Sequence, residues 1–371
     1  MRCPPAAPGI PHRDGSLAEL IGKTPLVRLR SILPNGEGTF FAKLECQNPG
    51  GMKVRAALSM VQAAMDRGEL GRGGRIVEST SGTLGLALAF VGKLLGLRVT
   101  LVADPGLEML VRNLLRAYDV QLIVVDRPDP VGGWQEARRR EVARVLSADQ
   151  TAFWPDQYNN PDNPLGYRSL AEELLQQLPG MDVLVCSVGT GGHSNGLARF
   201  LRVHRPELRV VGVDSVRSTI FGQPNGTRLM RGLGSSIYPR NVAYPAFDDI
   251  HWVAAAESVT ACRALAARDC VTGGWSVGAV ALVASWYAAS FGGVVATVFP
   301  DGPERYGATI FDDGYCQRHD LLLGSLPRYP WYTDSPFTEV VERWSFSRAI
   351  ADPTTTPSTA RPGPVRAGTT H

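Results

Sequence analysis

The sequence has 371 residues, 44% of them hydrophobic and 20% charged, enough for a globular protein of roughly two domains with a sizeable core. Its formal charge of +3 is carried by mixed signs without a polybasic stretch, so nothing in it points to a nucleic-acid or membrane partner. No apolar run reaches about 18 residues, and the N-terminus lacks a charged-then-apolar leader, so a cytoplasmic protein is expected.

Residues 1–15, rich in Pro, Ala and Gly, and residues 350–371, rich in Thr, Pro, Ala and Gly, read as disordered tails. Between them apolar strands alternate with amphipathic helices. The loop Asn48-Pro49-Gly50-Gly51-Met52-Lys53 enters a helix over 54–67. A strand over 75–80 follows, then a helix over 83–95, a strand over 98–103, a helix over 107–118 and a strand over 120–126. A helix over 134–146 carries Arg138-Arg139-Arg140, which reads as a solvated face. Helix 170–178, strand 182–188, helix 195–203 and strand 208–214 come next, and helices 259–267 and 277–290 and strand 293–299 close the pattern. This alternation implies parallel sheets covered by helices on both faces, with a change-over near residue 150, where Pro155, Pro161 and Pro164 interrupt it. Ligands of such sheets sit beyond the carboxyl ends of strands, so the loops after Glu78, Val188 and Gly274 are where chemistry is expected.

Two of those loops suit anions. Ser187-Val188-Gly189-Thr190-Gly191-Gly192-His193-Ser194 joins an apolar strand to a helix, and its glycines let backbone N–H groups approach a phosphate. A tight strand-to-helix turn is an equal reading. Neither a nucleoside-triphosphate loop nor a dinucleotide fingerprint fits, since no Gly-Lys-Ser/Thr follows and the residue three past Gly191 is Ser194. Glu78-Ser79-Thr80-Ser81-Gly82-Thr83 offers hydroxyls and N–H groups to a carboxylate, although N-capping by Ser81 or Thr83 accounts for it as well. The basic residues are 34 arginines against four lysines, Lys23, Lys43, Lys53 and Lys93. Arginine stays protonated and forms no imine, so any imine chemistry has four side chains to choose from. Lys53, at a helix N-terminus that disfavours its cation, is the candidate. The six cysteines are scattered without a C-x-x-C pair, so a metal site or disulfide framework is not expected, and Cys186 reads as a core residue.

Several motifs occur in order: Ile21-Gly22-Lys23-Thr24-Pro25-Leu26-Val27, Ala42-Lys43-Leu44-Glu45, Asn48-Pro49-Gly50-Gly51, Glu78-Ser79-Thr80-Ser81-Gly82, Gly189-Thr190-Gly191-Gly192 and Pro300-Asp301-Gly302-Pro303-Glu304-Arg305-Tyr306. Together they resemble the cysteine synthase and cystathionine β-synthase family of fold-type-II pyridoxal-phosphate (PLP) enzymes over about residues 16–312. Glu78 through Gly85, Ile220-Phe221-Gly222 and Arg231-Gly232-Leu233-Gly234 look most like the branch that makes a 2,3-diaminopropionate precursor. The resemblance implies two doubly wound parallel-sheet domains of the tryptophan-synthase-β-like architecture. It assigns 16–46 and 151–312 to a large PLP-binding domain, 47–150 to a small substrate domain and 313–349 to an extension. It makes Lys53 the Schiff-base and catalytic residue. Gly189, Thr190, Gly191, Gly192 and His193 would hold the cofactor phosphate, Ser276 the ring nitrogen and Thr83 the ring hydroxyl. Thr80, Ser81, Gly82 and Gln157 would bind the substrate carboxylate. It also implies a homodimer acting on a small amino acid.

The implied reaction is β-replacement on an O-acetyl- or O-phospho-L-serine through an aminoacrylate, with a sulfur or amine nucleophile. A neutral serine at the ring nitrogen leaves the cofactor a modest electron sink, which suits elimination and addition. Elimination alone, and a silent member with a binding role, are the alternatives. Four features depart from the family pattern: the step from Pro49 to Lys53 is one residue short, Val54 replaces an aspartate, Thr83 an asparagine and His193 a small hydroxyl residue. Trp275 reads as site-shaping or core.

Overall fold

A computed structural model describes residues 16–80, 82–130, 133–348 and 350–355. In chain order its strands are β1 (Leu26–Arg30), β2 (Thr39–Lys43), β3 (Arg75–Ser79), β4 (Arg98–Ala103), β5 (Gln121–Val124), β6 (Ala152–Phe153), β7 (Val183–Ser187), β8 (Arg209–Ser215), β9 (Asp249–Val253), β10 (Val295–Val298), β11 (Trp331–Tyr332) and β12 (Ser345–Ser347). The helices are α1 (Lys53–Asp66), α2 (Thr83–Leu95), α3 (Met109–Ala117), α4 (Gly133–Ala148), α5 (Asp162–Leu165), α6 (Arg168–Gln177), α7 (Gly192–Leu201), α8 (Ala255–Asp269), α9 (Trp275–Ser290) and α10 (Asp313–Arg318).

Two sheets organise these elements. The larger runs β1-β2-β10-β7-β8-β9-β12-β11, parallel from β2 to β9 and antiparallel at β1–β2 and β9–β12. The smaller, β5-β4-β3-β6, is parallel throughout. Strands β7 and β10 are short apolar runs buried at every residue, the pattern of a parallel sheet covered on both faces. Helix α9 carries no charge and buries all but its last turn against α8, β7 and β10, so it reads apolar on all sides because it is the cover of the large sheet. Helix α1 instead buries part of its circumference, Val54, Arg55, Ala56, Ala57, Met60, Val61 and Ala64, between α2 and α5. Among the described residues, no helix is long and apolar enough to cross a membrane.

All six strands and eight helices expected from the sequence are present, displaced by at most four residues at the start of α8. The strands missed are instructive. In β9, Asp249 and His251 interrupt the apolar run, yet both are buried. Asp249 accepts hydrogen bonds from Arg209 (2.6 Å), Tyr287 and Arg348, which compensates the burial of its charge. His251 accepts at Nδ1 from Trp344 Nε1 (3.2 Å) and stacks on Phe346, and burial pushes its pKa down to about 3. Trp344 and Phe346 come from the segment after residue 313, which supplies β12 and β11 to the edge of the large sheet beyond β9. The expected tails lie outside the described residues except for 350–355.

Candidate active site

Three parallel strands end at one place. The loops leaving β3, β7 and β10 lead into α2, into α7 and into Pro300–Arg305, and their termini, with the α1 N-terminus and the 225–237 loop, line a cavity of about 650 Å³. Its walls include Lys53, Thr80, Gly82, Thr83, Gln157, Gly189 and Thr190. The topology therefore brings together residues up to 137 positions apart, which the sequence had nominated separately. Ser81 lies outside the described residues.

Lys53 opens α1 and points its Nζ at Thr190 Oγ1, 3.4 Å away. Burial pushes its pKa down to about 8 against the pull of the Asp301 carboxylate, so a substantial share of neutral amine is present near neutral pH. The other lysines are placed differently. Lys43 is buried and donates to Glu173 (2.6 Å), Gln177 (2.8 Å) and Thr24 O (2.7 Å). Lys93 is exposed beside Asp119 at 3.7 Å, and Lys23 does not line the cavity. The short lysine loop closes through two successive glycines with left-handed backbone, Gly50 (φ +78°) and Gly51 (φ +62°). Gly51 N–H donates to Asn48 O (2.8 Å) and Met52 N–H to Pro300 O (2.8 Å), which docks the loop on the chain leaving β10.

The 189–192 loop turns through Gly191 at φ +80°, where a Cβ would stand 2.5 Å from Val242 N, so only glycine fits. Beyond it α7 begins, and its first N–H, that of Gly192, donates to Thr190 Oγ1 (3.3 Å), which ties the loop to the positive end of the helix. The Thr190 hydroxyl and this helix start together suit an anion, with a buried His193 Nε2 that has no hydrogen-bond partner as a further polar atom nearby. His193 itself does not line the cavity. Its ring packs edge-on to Tyr167, and burial and the Lys53 charge push its pKa down to about 3. Gly191, Gly192 and Ser276 also lie behind the lining, Ser276 close to it: a Cβ on Gly232, which lines the cavity, would be 3.4 Å from Ser276 Oγ. Ser276 Oγ donates to Asp301 (3.2 Å), whose other oxygen accepts from Tyr306. Trp275 is buried in the large-sheet core.

In the loop after β3, Thr80 Oγ1 accepts from Gly82 N–H (3.0 Å), leaving its own proton to donate. The backbone of Gln157 is pinned from three sides: its N–H donates to Glu78 (3.4 Å), and its carbonyl accepts from Asn163 (2.6 Å) and Asn241 (3.0 Å).

Sequence reasoning missed the basic part of the lining. Arg138, Arg228, Arg231 and Arg305 all face the cavity, as does Tyr158. The solvated-face reading of Arg138-Arg139-Arg140 holds for Arg140 and is corrected for Arg138, which is partly buried, pairs with Asp104 and donates to Ser79 Oγ (3.3 Å). A helix three residues from solvent exposure can turn one arginine of three inward, and only the packing of α4 on β3 decides which. The excess of arginine over lysine was the available signal.

Glu78 was missed as well. It accepts from Trp154 Nε1 (2.9 Å) and Ser79 N–H (2.7 Å), and burial pushes its pKa up to about 7. Between its ordinary value and about 7 the folded protein holds a proton that the unfolded chain has released, so this carboxyl loses stabilising influence as pH rises through that window. E78Q is expected to flatten the fall in stability there, by about 3 kcal/mol in total, read from denaturant titrations at either end of the window. An unchanged slope would show that Glu78 titrates as an ordinary carboxyl.

Comparison with known proteins gives the family. Residues 17–301 match the family described as pyridoxal-phosphate dependent enzyme. The chain is 39% identical over 311 residues to an N-(2-amino-2-carboxyethyl)-L-glutamate synthase of Cupriavidus metallidurans, covering 82% of this chain and 91% of that protein. Among solved structures, it resembles O-ureido-L-serine synthase (TM-score 0.73, 32% identity, 80% and 95% of the two chains). It also resembles the O-acetylserine dependent cystathionine β-synthase of Helicobacter pylori (TM-score 0.74, 26% identity, 79% and 97%).

Proposed function

The chain belongs to the pyridoxal-phosphate dependent enzyme family, and from that premise we propose that it joins the β-carbon of an O-activated L-serine to the amino group of a dicarboxylic amino acid such as L-glutamate. The observation that carries this reading is the one cavity lined together by Lys53, by residues of two loops that suit anions and by Arg228 and Arg231. β-Replacement on a serine derivative needs a lysine, a phosphate site and one carboxylate site. A dicarboxylic nucleophile brings two further carboxylates, and guanidinium groups suit them.

In this reading Lys53 Nζ holds the cofactor's aldehyde carbon, residues 189–192 and the start of α7 its phosphate, and Ser276 its ring nitrogen. The bound cofactor supplies the electron withdrawal that acidifies the α-carbon and lets the β-substituent leave. The protein's residues do the rest. Lys53 Nζ, set free when the substrate's amino group takes its place on the cofactor, would take up the α-proton, its neutral form favoured by burial. Thr80 Oγ1, Gly82 N–H and the Gln157 amide orient the substrate carboxylate, held by the bonds that fix their backbones. Arg228 and Arg231, at the mouth, bind the carboxylates of the incoming amine, Arg228 being set by Arg217 O (2.6 Å) and Ser236 Oγ (2.8 Å) and Arg231 by Gly106 O (3.1 Å). In this reading a carbon chain is transferred to an amine, the reaction of an alkyl transferase.

The test is product analysis by mass spectrometry with O-acetyl- or O-phospho-L-serine, with and without L-glutamate. A C–N linked product that requires glutamate is expected, and the faster of the two serine esters identifies the leaving group. Pyruvate formed at a rate indifferent to any nucleophile would replace this reading with elimination.

A further inference from the structure

Arg305 is a buried cation that the reaction as described does not use. It comes from the loop after β10, and its guanidinium bridges two helices of the other sheet: Nη1 donates to Thr83 Oγ1 at 3.0 Å and Nη2 to Glu108 Oε1 at 2.9 Å. Guanidinium has no acceptor capacity, so at Thr83 the hydroxyl is the acceptor. A hydroxyl that accepts from a cation keeps its own proton for another partner, and the charge behind it makes that proton a stronger donor. Thr83 lines the same cavity as Lys53.

The layout of the site says where that proton goes. In PLP the aldehyde carbon lies between the carbon bearing the phosphate arm and the carbon bearing the phenolic oxygen. With the aldehyde carbon on Lys53 and the phosphate at residues 189–192, the phenolic oxygen must face away from that loop. Thr83, at the start of α2, lines the same cavity, and the family resemblance puts its hydroxyl at that oxygen. We propose that Thr83 and Arg305 act as one unit, in which Arg305 is a positioning residue that fixes the Thr83 hydroxyl as donor to the phenolic oxygen of the cofactor and stabilises its anion. This rests on the cofactor placement proposed above. It also gives the short side chain at position 83 a means of acting where a longer amide is absent: the cation behind the hydroxyl strengthens what its length does not supply.

The experiment is the visible absorbance of PLP-loaded protein, titrated with pH, for wild type, T83V, T83S, R305K and R305Q. The ionised phenolic oxygen gives the long-wavelength form, and its neutral tautomer the short-wavelength form. T83V, nearly isosteric, is expected to raise the ratio of short- to long-wavelength form about tenfold, the effect of one lost charge-assisted hydrogen bond. T83S should stay within about twofold of wild type, and R305Q should shift the ratio in the same direction as T83V. Combining R305Q with T83V should add nothing, because the two act through one donor. Equal ratios in T83V and T83S, or additive effects in the double variant, would overturn the proposal. T83V against T83S decides the donor, and R305K, which keeps the charge that R305Q removes, decides the positioning: a ratio lying between those of wild type and T83V is expected, and a ratio equal to wild type in every Arg305 variant that folds would overturn the role of Arg305. A wild-type protein with no visible band on Lys53 instead refutes the cofactor placement itself, so the two failures are told apart.

Discussion

K53A is expected to lower turnover by about three orders of magnitude, the loss of a group acting as both anchor and base. Borohydride treatment of PLP-loaded wild type should fix the cofactor to the peptide bearing Lys53, and K53A should show no such label. Burial of the amine sets how the cofactor-free protein takes up PLP: only neutral Lys53 Nζ attacks the aldehyde and its pKa stands near 8, so the loading rate, followed by absorbance, should rise with pH up to about that value and then level. K93A, on an exposed lysine beside Asp119, should leave turnover unchanged. The same burial predicts an opposite effect on stability. Below about pH 8 the cofactor-free fold holds a poorly solvated ammonium, and the penalty is relieved as pH climbs from 8 towards the ordinary lysine value, where the unfolded chain holds the proton and the folded one does not. K53M should therefore make the cofactor-free protein more stable at neutral pH by a few kcal/mol while abolishing activity. Retained turnover in K53A would move the chemistry to another residue.

G50A carries the second large effect. The residue has φ +78°, and a Cβ there would stand 2.6 Å from Ala87 N and 2.7 Å from Ala87 Cα, both backbone atoms of α2. Backbone cannot swing aside as a side chain can, so the lysine loop and α2 must separate. Left-handed strain and overpacking together cost about 2–6 kcal/mol, and what separates is the pair of elements that carry Lys53 and Thr83. Loss of stability and a weaker PLP band are both expected, by thermal unfolding and absorbance titration. G68A is the control: Gly68 has φ +75° with no atom within 4 Å of its Cβ position, so only the backbone strain of about 1 kcal/mol should appear. Equal losses in the two variants would mean that the approach to α2 is not tight.

The elements that were legible are those with one physical requirement each. Strands β7 and β10 are apolar runs because both faces of a parallel strand are covered, and α1 keeps a helical period because part of its surface stays exposed. Strand β9 was hidden because Asp249 and His251 are satisfied by Arg209, Tyr287 and Trp344, partners 38 to 93 residues away that no local pattern announces. The lysine loop was one residue short of its family pattern, and the pair of left-handed glycines that closes it was visible only as Gly50-Gly51.

By itself the sequence determined the α/β class, the motif set that marks the family, and the short choice of four lysines, because each depends on residue type and spacing within a single loop or element. Only the tertiary structure decided which lysine faces the cavity, that Arg138 turns inward from an apparently solvated cluster, and that Arg305 reaches Thr83 from 222 positions away. Those outcomes turn on burial and on which strand ends meet. Both are set by the order of strands in the sheets, a property of the folded chain rather than of any segment.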